Sequence, residues 1–197
     1  MLFKACGIRN ETNLTARFCS DIDFFGINFS PLSKRKPHPK SIIEILSKIP
    51  YSKQVYVFKE NSVEDILHVF KLYGTPHYIQ IYEPDLIEKL KGFAKIIFAA
   101  NISTEHQLKN LPEADLLILE GSQSGTGTEV SSNILLDKVN RPFLIAGGIT
   151  PENALKKVNK YKHCIGIDVA SGIEENGIIS NHKLHQFLQI KESVEAI

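Results

Sequence analysis

The chain has 197 residues, 43% of them hydrophobic, and its 23 basic and 22 acidic side chains nearly cancel. This length allows one domain with a substantial core but not two ordinary domains, and the balanced charge gives no positive field for binding nucleic acid or an anionic membrane. The apolar runs are far shorter than the roughly 20 residues of a membrane-spanning helix, no signal-peptide pattern is visible, and the three cysteines are widely spaced. We therefore expect a cytoplasmic protein with no nucleic-acid and no membrane partner.

Short apolar runs rich in β-branched and aromatic residues alternate along the chain with segments of helical periodicity. The predicted strands are residues 3–7, 24–29, 54–58, 78–81, 96–100, 116–119, 143–146 and 164–169. The predicted helices are residues 11–19, 39–48, 62–73, 84–90, 104–110, 131–138, 151–160 and 181–190. Eight strand–helix units in a single domain, 1–197, predict an α/β fold of the (β/α)8 TIM-barrel class, although an open doubly wound sheet would give a similar pattern.

Two of the predicted helices begin with a chemical signature. Asn61 or Ser62 can cap the third helix, and Thr150 followed by Pro151 and Glu152 provides an N-cap, an N1 proline and an acidic first turn. These signatures support the helix assignments independently of periodicity.

Glycine-containing loops follow the last two predicted strands, where barrels carry their functional groups. Gly147 and Gly148 follow the seventh strand, and Ala170, Ser171 and Gly172 follow the eighth. Glycines allow the backbone to approach an anion, and backbone N–H groups in such loops bind phosphate without Lys or Arg. One glycine pair is as consistent with a tight turn, but two such loops on consecutive strands predict a site for a phosphorylated small molecule.

Two further loops are candidates for ligand binding. Arg35 lies in the basic run 33–36 after the second strand; such a run is usually a solvated turn, but the guanidinium could bind a substrate carboxylate bidentately. Gly125, Thr126 and Gly127 lie after the sixth strand, in a segment flexible enough to close over a ligand.

Cys6 and Glu120 end the first and sixth strands and form a candidate base and acid. A lone cysteine is more often an inert core residue, but a thiol at the mouth of a barrel needs only a modest positive field to act as a base near neutrality. Glu120 could be a solvated rim carboxylate; in a closed mouth its pKa would instead rise and it could donate a proton.

Other residue types give no clear assignment. Asn28, Tyr82 and Glu83 also end strands, but residue type alone does not assign them a role. The seven histidines show neither HxH nor HExxH spacing, so no metal site is expected, and there is no GxSxG nucleophile elbow.

The ordered set of motifs resembles the phosphoribosylanthranilate isomerase family of tryptophan biosynthesis, from Lys4 to about Phe187. The matching segments are 4–8 (KACGI), 26–35 (GINFSPLSKR), 55–58 (VYVF), 116–120 (LLILE), 124–127 (SGTG), 144–153 (LIAGGITPEN) and 166–174 (GIDVASGIE). The set is far more specific than any one motif.

The resemblance implies a cofactor-free Amadori rearrangement that converts an aminoaldose, N-(5'-phosphoribosyl)anthranilate, into its 1-deoxyribulose aminoketose. Cys6 matches the general base and Arg35 the residue that binds the anthranilate carboxylate. Glu120 stands where the family has an aspartate general acid. The phosphate site matches Gly148, Ser171 and neighbouring amides, and Gly125 to Gly127 help to cover the ligand. Asp168 matches a barrel-floor residue with a structural role.

The sequence also departs from the family pattern. The Glu120 side chain is one methylene longer than that of aspartate, which adds about 1.5 Å to its reach. Gln80-Ile81-Tyr82-Glu83 replaces the usual Gln-Leu-His-Gly, and Val130-Ser131 replaces an aromatic pair. These changes describe a divergent member.

Three alternatives remain open at the level of sequence. A thiamine phosphate synthase-like transferase would need a carboxylate cluster for Mg²⁺, whereas only scattered acids end the strands. The histidine-pathway aminoaldose isomerase would need aspartates after the first and fifth strands, where this chain has Cys6 and 99–101 (AAN). An inactive paralogue that binds a phosphorylated ligand is the third. Sequence does not fix the oligomeric state, but it favours a monomer slightly.

Overall fold

The computed structural model of the chain describes residues 1–121 and 135–195. Its eight barrel strands are all parallel and pair in chain order, and the eighth pairs with the first. The strands are β1 Leu2–Cys6, β2 Phe24–Asn28, β3 Gln54–Val57, β4 Tyr78–Ile81, β5 Lys95–Ile102, β6 Leu116–Gly121, β7 Phe143–Ala146 and β8 Cys164–Val169. Closure of the sheet confirms the predicted barrel and excludes the open doubly wound alternative.

Helices connect the strands and cover the outside of the barrel. They are α1 Ala16–Asp21, α2 Pro39–Lys48, α3 Val63–Tyr73, α4 Leu86–Leu90, α5 Glu105–Lys109, α6 Pro151–Asn159 and α7 Asn181–Glu195. Residues 135–137 are also helical, and the helix predicted at 131–138 lies partly outside the described residues. A 3-10 turn, Ser171–Ile173, and a two-stranded hairpin, Glu174–Glu175 with Ile178–Ile179, follow β8.

The first helix was predicted wrongly at its start. It was expected from residue 11 but begins at Ala16, because the Thr15 hydroxyl accepts a hydrogen bond from the Phe18 amide at 3.3 Å and so caps the helix there. Residues 11–14 form a turn instead, in which the Leu14 amide donates to the Glu11 carbonyl at 2.9 Å. Leu14 is buried from within that turn.

The caps predicted for α3 and α6 are present in the structure. Ser62, rather than Asn61, caps α3 and exchanges side-chain and backbone hydrogen bonds with Asp65. At the start of α6, the Thr150 amide donates to the Asn153 side chain at 2.9 Å, and Pro151 is the first helical residue. The latter cap fixes the loop that contains Gly147 and Gly148.

Side chains along β1 point alternately towards the helices and into the barrel interior, and so contribute to two separate layers of the core. Phe3 and Ala5 are fully buried in the layer between strands and helices, where the Phe3 ring lies 5.3 Å from that of Phe187 on α7. The side chains of Lys4 and Cys6 therefore share the opposite face, which is the barrel interior. Among the described residues, no helix is long and apolar enough to cross a membrane.

Candidate functional site

The carboxyl ends of the strands surround a cavity of about 450 Å³. Its lining includes Asp168 and eight residues predicted from sequence to belong to the site, which are Cys6, Arg35, Glu120, Gly147, Gly148, Ala170, Ser171 and Gly172. The remaining predicted residues, Gly125, Thr126 and Gly127, lie outside the described part of the chain. Residues that are up to 166 positions apart in sequence thus meet at one end of the barrel because all eight strands are parallel.

Cys6 is the last residue of β1 and is 9% exposed, with its thiol on the barrel interior. It lies opposite Gly26 in the β1–β2 register, and a Cβ at Gly26 would lie only 2.7 Å from Cys6 Sγ and 3.2 Å from Lys4 Nζ. The absence of a side chain at residue 26 is therefore what leaves room for the thiol and the ammonium group together.

The electrostatic surroundings of Cys6 contain opposing contributions. Burial raises the pKa of the Cys6 thiol, and the Asp168 carboxylate adds to that increase. The positive charges of Lys4 and Arg35 act in the opposite direction, but the net pKa remains above the ordinary value for a thiol. In the ligand-free protein the thiol is consequently protonated at neutral pH.

Lys4 forms an ion pair in the barrel interior that sequence reasoning missed. Its side chain is 0% exposed, and its Nζ donates to Asp168 Oδ1 at 2.7 Å. Burial lowers the pKa of Lys4, but Asp168 and Cys6 outweigh burial and raise it above the ordinary value, so the ammonium stays charged. A lysine within an apolar strand, two residues from Cys6 and thus on the same face, was the available signal.

Asp168 is closer to the cavity than predicted. The resemblance assigned it a structural role at the barrel floor, and its register opposite Lys4 does place it one layer below Cys6. Its side chain is nevertheless 12% exposed and lines the cavity. It therefore combines a structural ion pair with a surface that a ligand can reach.

Arg35 crosses the mouth of the cavity and is already bound to a carboxylate. Its Nε and Nη2 donate to the two carboxylate oxygens of Glu174 at 2.9 and 2.8 Å. The side chain runs over Gly7, where a Cβ would lie 2.5 Å from Arg35 Cδ and where φ is +89°. The sequence predicted a guanidinium open to substrate, and it gave no sign of the Glu174 partner.

The two phosphate-loop candidates pack directly against each other. Gly147 and Gly148 have φ values of +86° and +55°, in the left-handed region that favours glycine. A Cβ on Gly172 would lie 1.9 Å from the Ile149 carbonyl oxygen, so only glycine allows this contact between the β7 and β8 loops. From α6, Lys157 Nζ donates to the Gly147 carbonyl at 2.7 Å and anchors the first loop.

Glu120 is exposed at the cavity rim rather than buried in a closed mouth. Its register places it beside Ala146 on β7 and Asn101 on β5. Its side chain lies against Gly147, where a Cβ would be 2.2 Å from Glu120 Oε1 and 2.6 Å from Cγ. The glycine thus provides the space that the additional methylene of glutamate needs.

Of the strand-end residues left unassigned by sequence, Asn28 and Tyr82 line the cavity. The Tyr82 hydroxyl accepts from Gln80 Nε2 at 2.8 Å, and Lys59 Nζ lies 5.4 Å from the centre of its ring. Burial, followed by the negative charge of a Cys6 thiolate, raises the pKa of the Tyr82 hydroxyl, so it stays neutral. Glu83 turns away and accepts from the Glu60 amide at 3.0 Å.

We found no cluster of three or more potential metal ligands from His, Cys, Asp or Glu within residues 1–121 and 135–195. The polar groups of the cavity include instead the Cys6 thiol, the Glu120 rim carboxylate, the Arg35 guanidinium and the two glycine loops. This set suits proton transfer on an anionic ligand.

Comparison with known proteins gives a consistent result. The sequence model described as N-(5'phosphoribosyl)anthranilate (PRA) isomerase matches residues 3–190. A curated relative from Leptospira interrogans is named N-(5'-phosphoribosyl)anthranilate isomerase. It is 30% identical over an alignment of 200 residues, which covers 94% of this chain and 92% of the relative.

Solved structures with the same fold include phosphoribosyl anthranilate isomerase from Thermus thermophilus, at a TM-score of 0.79 and 24% identity over 98% of this chain and all of the other. Another is a phosphoribosyl anthranilate isomerase in complex with reduced 1-(o-carboxyphenylamino)-1-deoxyribulose 5-phosphate. Its TM-score is 0.78, and it is 25% identical over 98% of this chain and all of the other. Since the family match extends over nearly the whole barrel, the chain belongs to the N-(5'-phosphoribosyl)anthranilate isomerase family.

Proposed function

We infer that this chain catalyses the isomerisation of N-(5'-phosphoribosyl)anthranilate in tryptophan biosynthesis, the reaction of its family, and we propose that Cys6 and Glu120 are its base and acid. The observation that carries this assignment is the order of groups in the cavity. Arg35 lies near Cys6 at one side, and Glu120 lies against the Gly147 loop at the other.

This order corresponds to the order of groups along the substrate. The anthranilate nitrogen is attached to C1 of the sugar, next to C2. The ring oxygen joins C1 to C4, and C4 is next to the carbon that bears the phosphate. A carboxylate bound by Arg35 places C2 towards Cys6, and a phosphate bound by the Gly147 loop places the ring oxygen towards Glu120. Base and acid then face the two atoms that exchange protons.

The reaction begins with ring opening. Glu120 donates its proton to the ring oxygen, the bond from that oxygen to C1 breaks, and the nitrogen lone pair forms a C1–N iminium. The iminium charge favours loss of the Cys6 thiol proton to solvent through the cavity mouth. The resulting thiolate then removes the C2 proton, and the electron pair left behind neutralises the iminium as an enolamine. Tautomerisation gives the C2 ketone and a CH2–NH group at C1, so C1 is reduced while C2 is oxidised and no external redox agent is required.

The buried thiol becomes basic at the step where it is needed. Its pKa is raised in the ligand-free cavity, with Lys4 and Arg35 partly opposing the effect of burial. The iminium adds a positive charge close to Cys6 and so stabilises the thiolate, as an opposite charge at short distance does in general. The thiolate is thereby restricted to the complex with ring-opened substrate.

Backbone groups of Gly147, Gly148, Ala170, Ser171 and Gly172 bind the phosphate in this proposal. The Lys157 bond to the Gly147 carbonyl and the contact between Gly172 and Ile149 support it, because they hold the two loops in one arrangement. Gly125, Thr126 and Gly127 remain predicted to cover the ligand. No cofactor or metal takes part in any step.

The test is a direct assay. Purified protein is given phosphoribosylanthranilate made in situ, and the decrease of anthranilate-type fluorescence is followed against a buffer control. Acceleration is expected, and Arg35→Ala should raise KM while leaving kcat nearly unchanged because carboxylate binding is lost in ground and transition state alike. No acceleration would reject the activity in favour of an inactive ligand-binding paralogue, and an unchanged KM in Arg35→Ala would reject Arg35 as the carboxylate anchor.

We further propose that the chain acts as a monomer in the cytoplasm. All three cysteines are free thiols, which fits a reducing compartment.

A further inference from the structure

Glu174 follows the phosphate-loop turn Ser171–Ile173 directly, yet its side chain reaches the opposite side of the cavity mouth. Both of its carboxylate oxygens accept hydrogen bonds from Arg35, and its side chain is only 11% exposed. The two residues are 139 positions apart, on the loops after β2 and β8. One ion pair therefore joins the carboxylate side of the cavity to the phosphate side.

The geometry leaves part of the guanidinium available for substrate. An arginine has five N–H donors, of which Glu174 engages the one on Nε and one of the two on Nη2. The three remaining donors include both on Nη1, so the Nη1–Nη2 edge can still bind a second carboxylate bidentately. Glu174 thus holds Arg35 without occupying the edge that a substrate carboxylate would use.

The charge balance allows Arg35 to bind a second anion. Arg9 Nη2 lies 3.6 Å from Glu174 Oε1, so two guanidinium groups share one carboxylate and the cluster keeps one positive charge. The hydrogen bonds from Arg35 lower the pKa of Glu174, and burial opposes them only in part, so the carboxylate is ionised near neutral pH. A neutral cluster would have attracted an anionic substrate less.

The position of Glu174 is itself fixed by its backbone. Its carbonyl accepts from Lys183 Nζ at 2.9 Å, and residue 174 pairs with Ile179 in the hairpin after the turn. These contacts do not involve the Glu174 carboxylate. A side-chain substitution at 174 should consequently leave the turn in place while releasing Arg35.

We propose that Glu174 is a positioning residue that orients the free edge of the Arg35 guanidinium towards the substrate carboxylate. The proposal rests on the proposed role of Arg35 as carboxylate anchor. It assigns Glu174 an effect on substrate binding through Arg35 and no contact with the reacting atoms.

Glu174→Gln tests it with little change in volume. Glutamine keeps one accepting oxygen, but its Nε2 donates and cannot accept from Arg35, so the bidentate charged bond is lost and a long flexible side chain must be ordered again on each binding event. KM should rise about 3- to 10-fold, the cost of immobilising such a side chain, while kcat stays within about twofold. Glu174→Asp, which keeps the charge but shortens the reach, should raise KM as well. Glu175→Gln, the exposed neighbour, is the matched control and should have the wild-type KM.

The inhibition constant of inorganic phosphate separates this mechanism from damage to the turn. It should be the same in wild type and Glu174→Gln, because phosphate probes only the loops. A weaker inhibition would show a structural effect on the turn and overturn the proposal, as would a KM that is unchanged or lower in Glu174→Gln. If Arg35→Ala leaves KM unchanged, the anchor assignment itself fails; if only Glu174→Gln does, the inference about Glu174 fails alone.

Discussion

Replacement of Lys4 by methionine tests how the barrel interior controls the Cys6 thiol. The substitution removes the ammonium but keeps an unbranched side chain of similar length. Cys6 Sγ and Lys4 Nζ both lie within 3.2 Å of the Cβ position at Gly26, so the two atoms are close neighbours. Even at the largest separation that these two distances allow, about 6 Å, and with an effective dielectric constant of about 20, Coulomb's law gives about 3 kcal/mol, or about two pKa units.

The direction follows from the sign of the lost charge. Lys4 stabilises the thiolate, so its removal raises the thiol pKa further. At pH values well below the wild-type pKa, the thiolate fraction then falls about 100-fold. The rising limb of kcat/KM should move to higher pH by about two units. The same shift should occur in the pH profile of Cys6 alkylation by iodoacetamide, measured in a Cys19→Ala, Cys164→Ala background so that only one thiol reacts.

Two comparisons keep this prediction interpretable. Lys4→Met leaves Asp168 unpaired in the interior, so the double variant Lys4→Met, Asp168→Asn is needed to remove both charges. Lys53→Met is the control for loss of a hydrogen-bonded lysine away from the cavity, because Lys53 bonds to the carbonyls of Cys19, Ser20 and Ile22. An unshifted alkylation profile in folded Lys4→Met protein would refute the electrostatic role of Lys4.

The remaining predictions concern the acid, the base, the loop and the assembly. Cys6→Ser and Glu120→Gln should each lower kcat by about 10²-fold or more, the usual scale for a general base or acid, and full activity in either would remove that residue from its role. Gly147→Ala should lower kcat by displacing Glu120 and should also lower the free energy of unfolding by about 1–2 kcal/mol. Gly74→Ala is the control, because Gly74 has a similar φ of +84° but no neighbour within 4 Å of the added Cβ, so this variant should lose stability without a change in kcat. Light scattering after gel filtration should give the mass of one 22.1 kDa chain, and a dimer mass would contradict the monomer proposal.

Sequence was sufficient for those parts of the site that depend on position along one strand or loop. Cys6 and Glu120 could be placed at the cavity because each ends an apolar strand, and a parallel barrel brings all such ends to one face. The glycine loops could be recognised because Gly147 and Gly148 have backbone conformations that other residues rarely adopt. Local pattern and fold class together were enough for these residues.

Sequence was insufficient where the feature depends on a pairing across the barrel. The Lys4–Asp168 ion pair joins residues 164 positions apart and exists only because β8 closes on β1 in one register. The Arg35–Glu174 pair likewise joins two loops that no periodicity relates. For the same reason the sequence could predict a guanidinium for the carboxylate but not that a protein carboxylate already holds it.

The distribution of charge around the cavity explains how a nearly neutral chain can bind a substrate with an anionic group at each end. The net charge of +1 excludes a general positive field, and the interior pair of Lys4 with Asp168 adds no net charge to the cavity. The proposed carboxylate side depends instead on the one uncompensated positive charge of the cluster formed by Arg9, Arg35 and Glu174. The proposed phosphate side depends on backbone groups, whose dipoles are fixed by the loop conformation rather than by added cations. Because each anion is bound by local geometry, the spacing between the two loops, more than the total charge, should determine which anionic substrates fit the cavity.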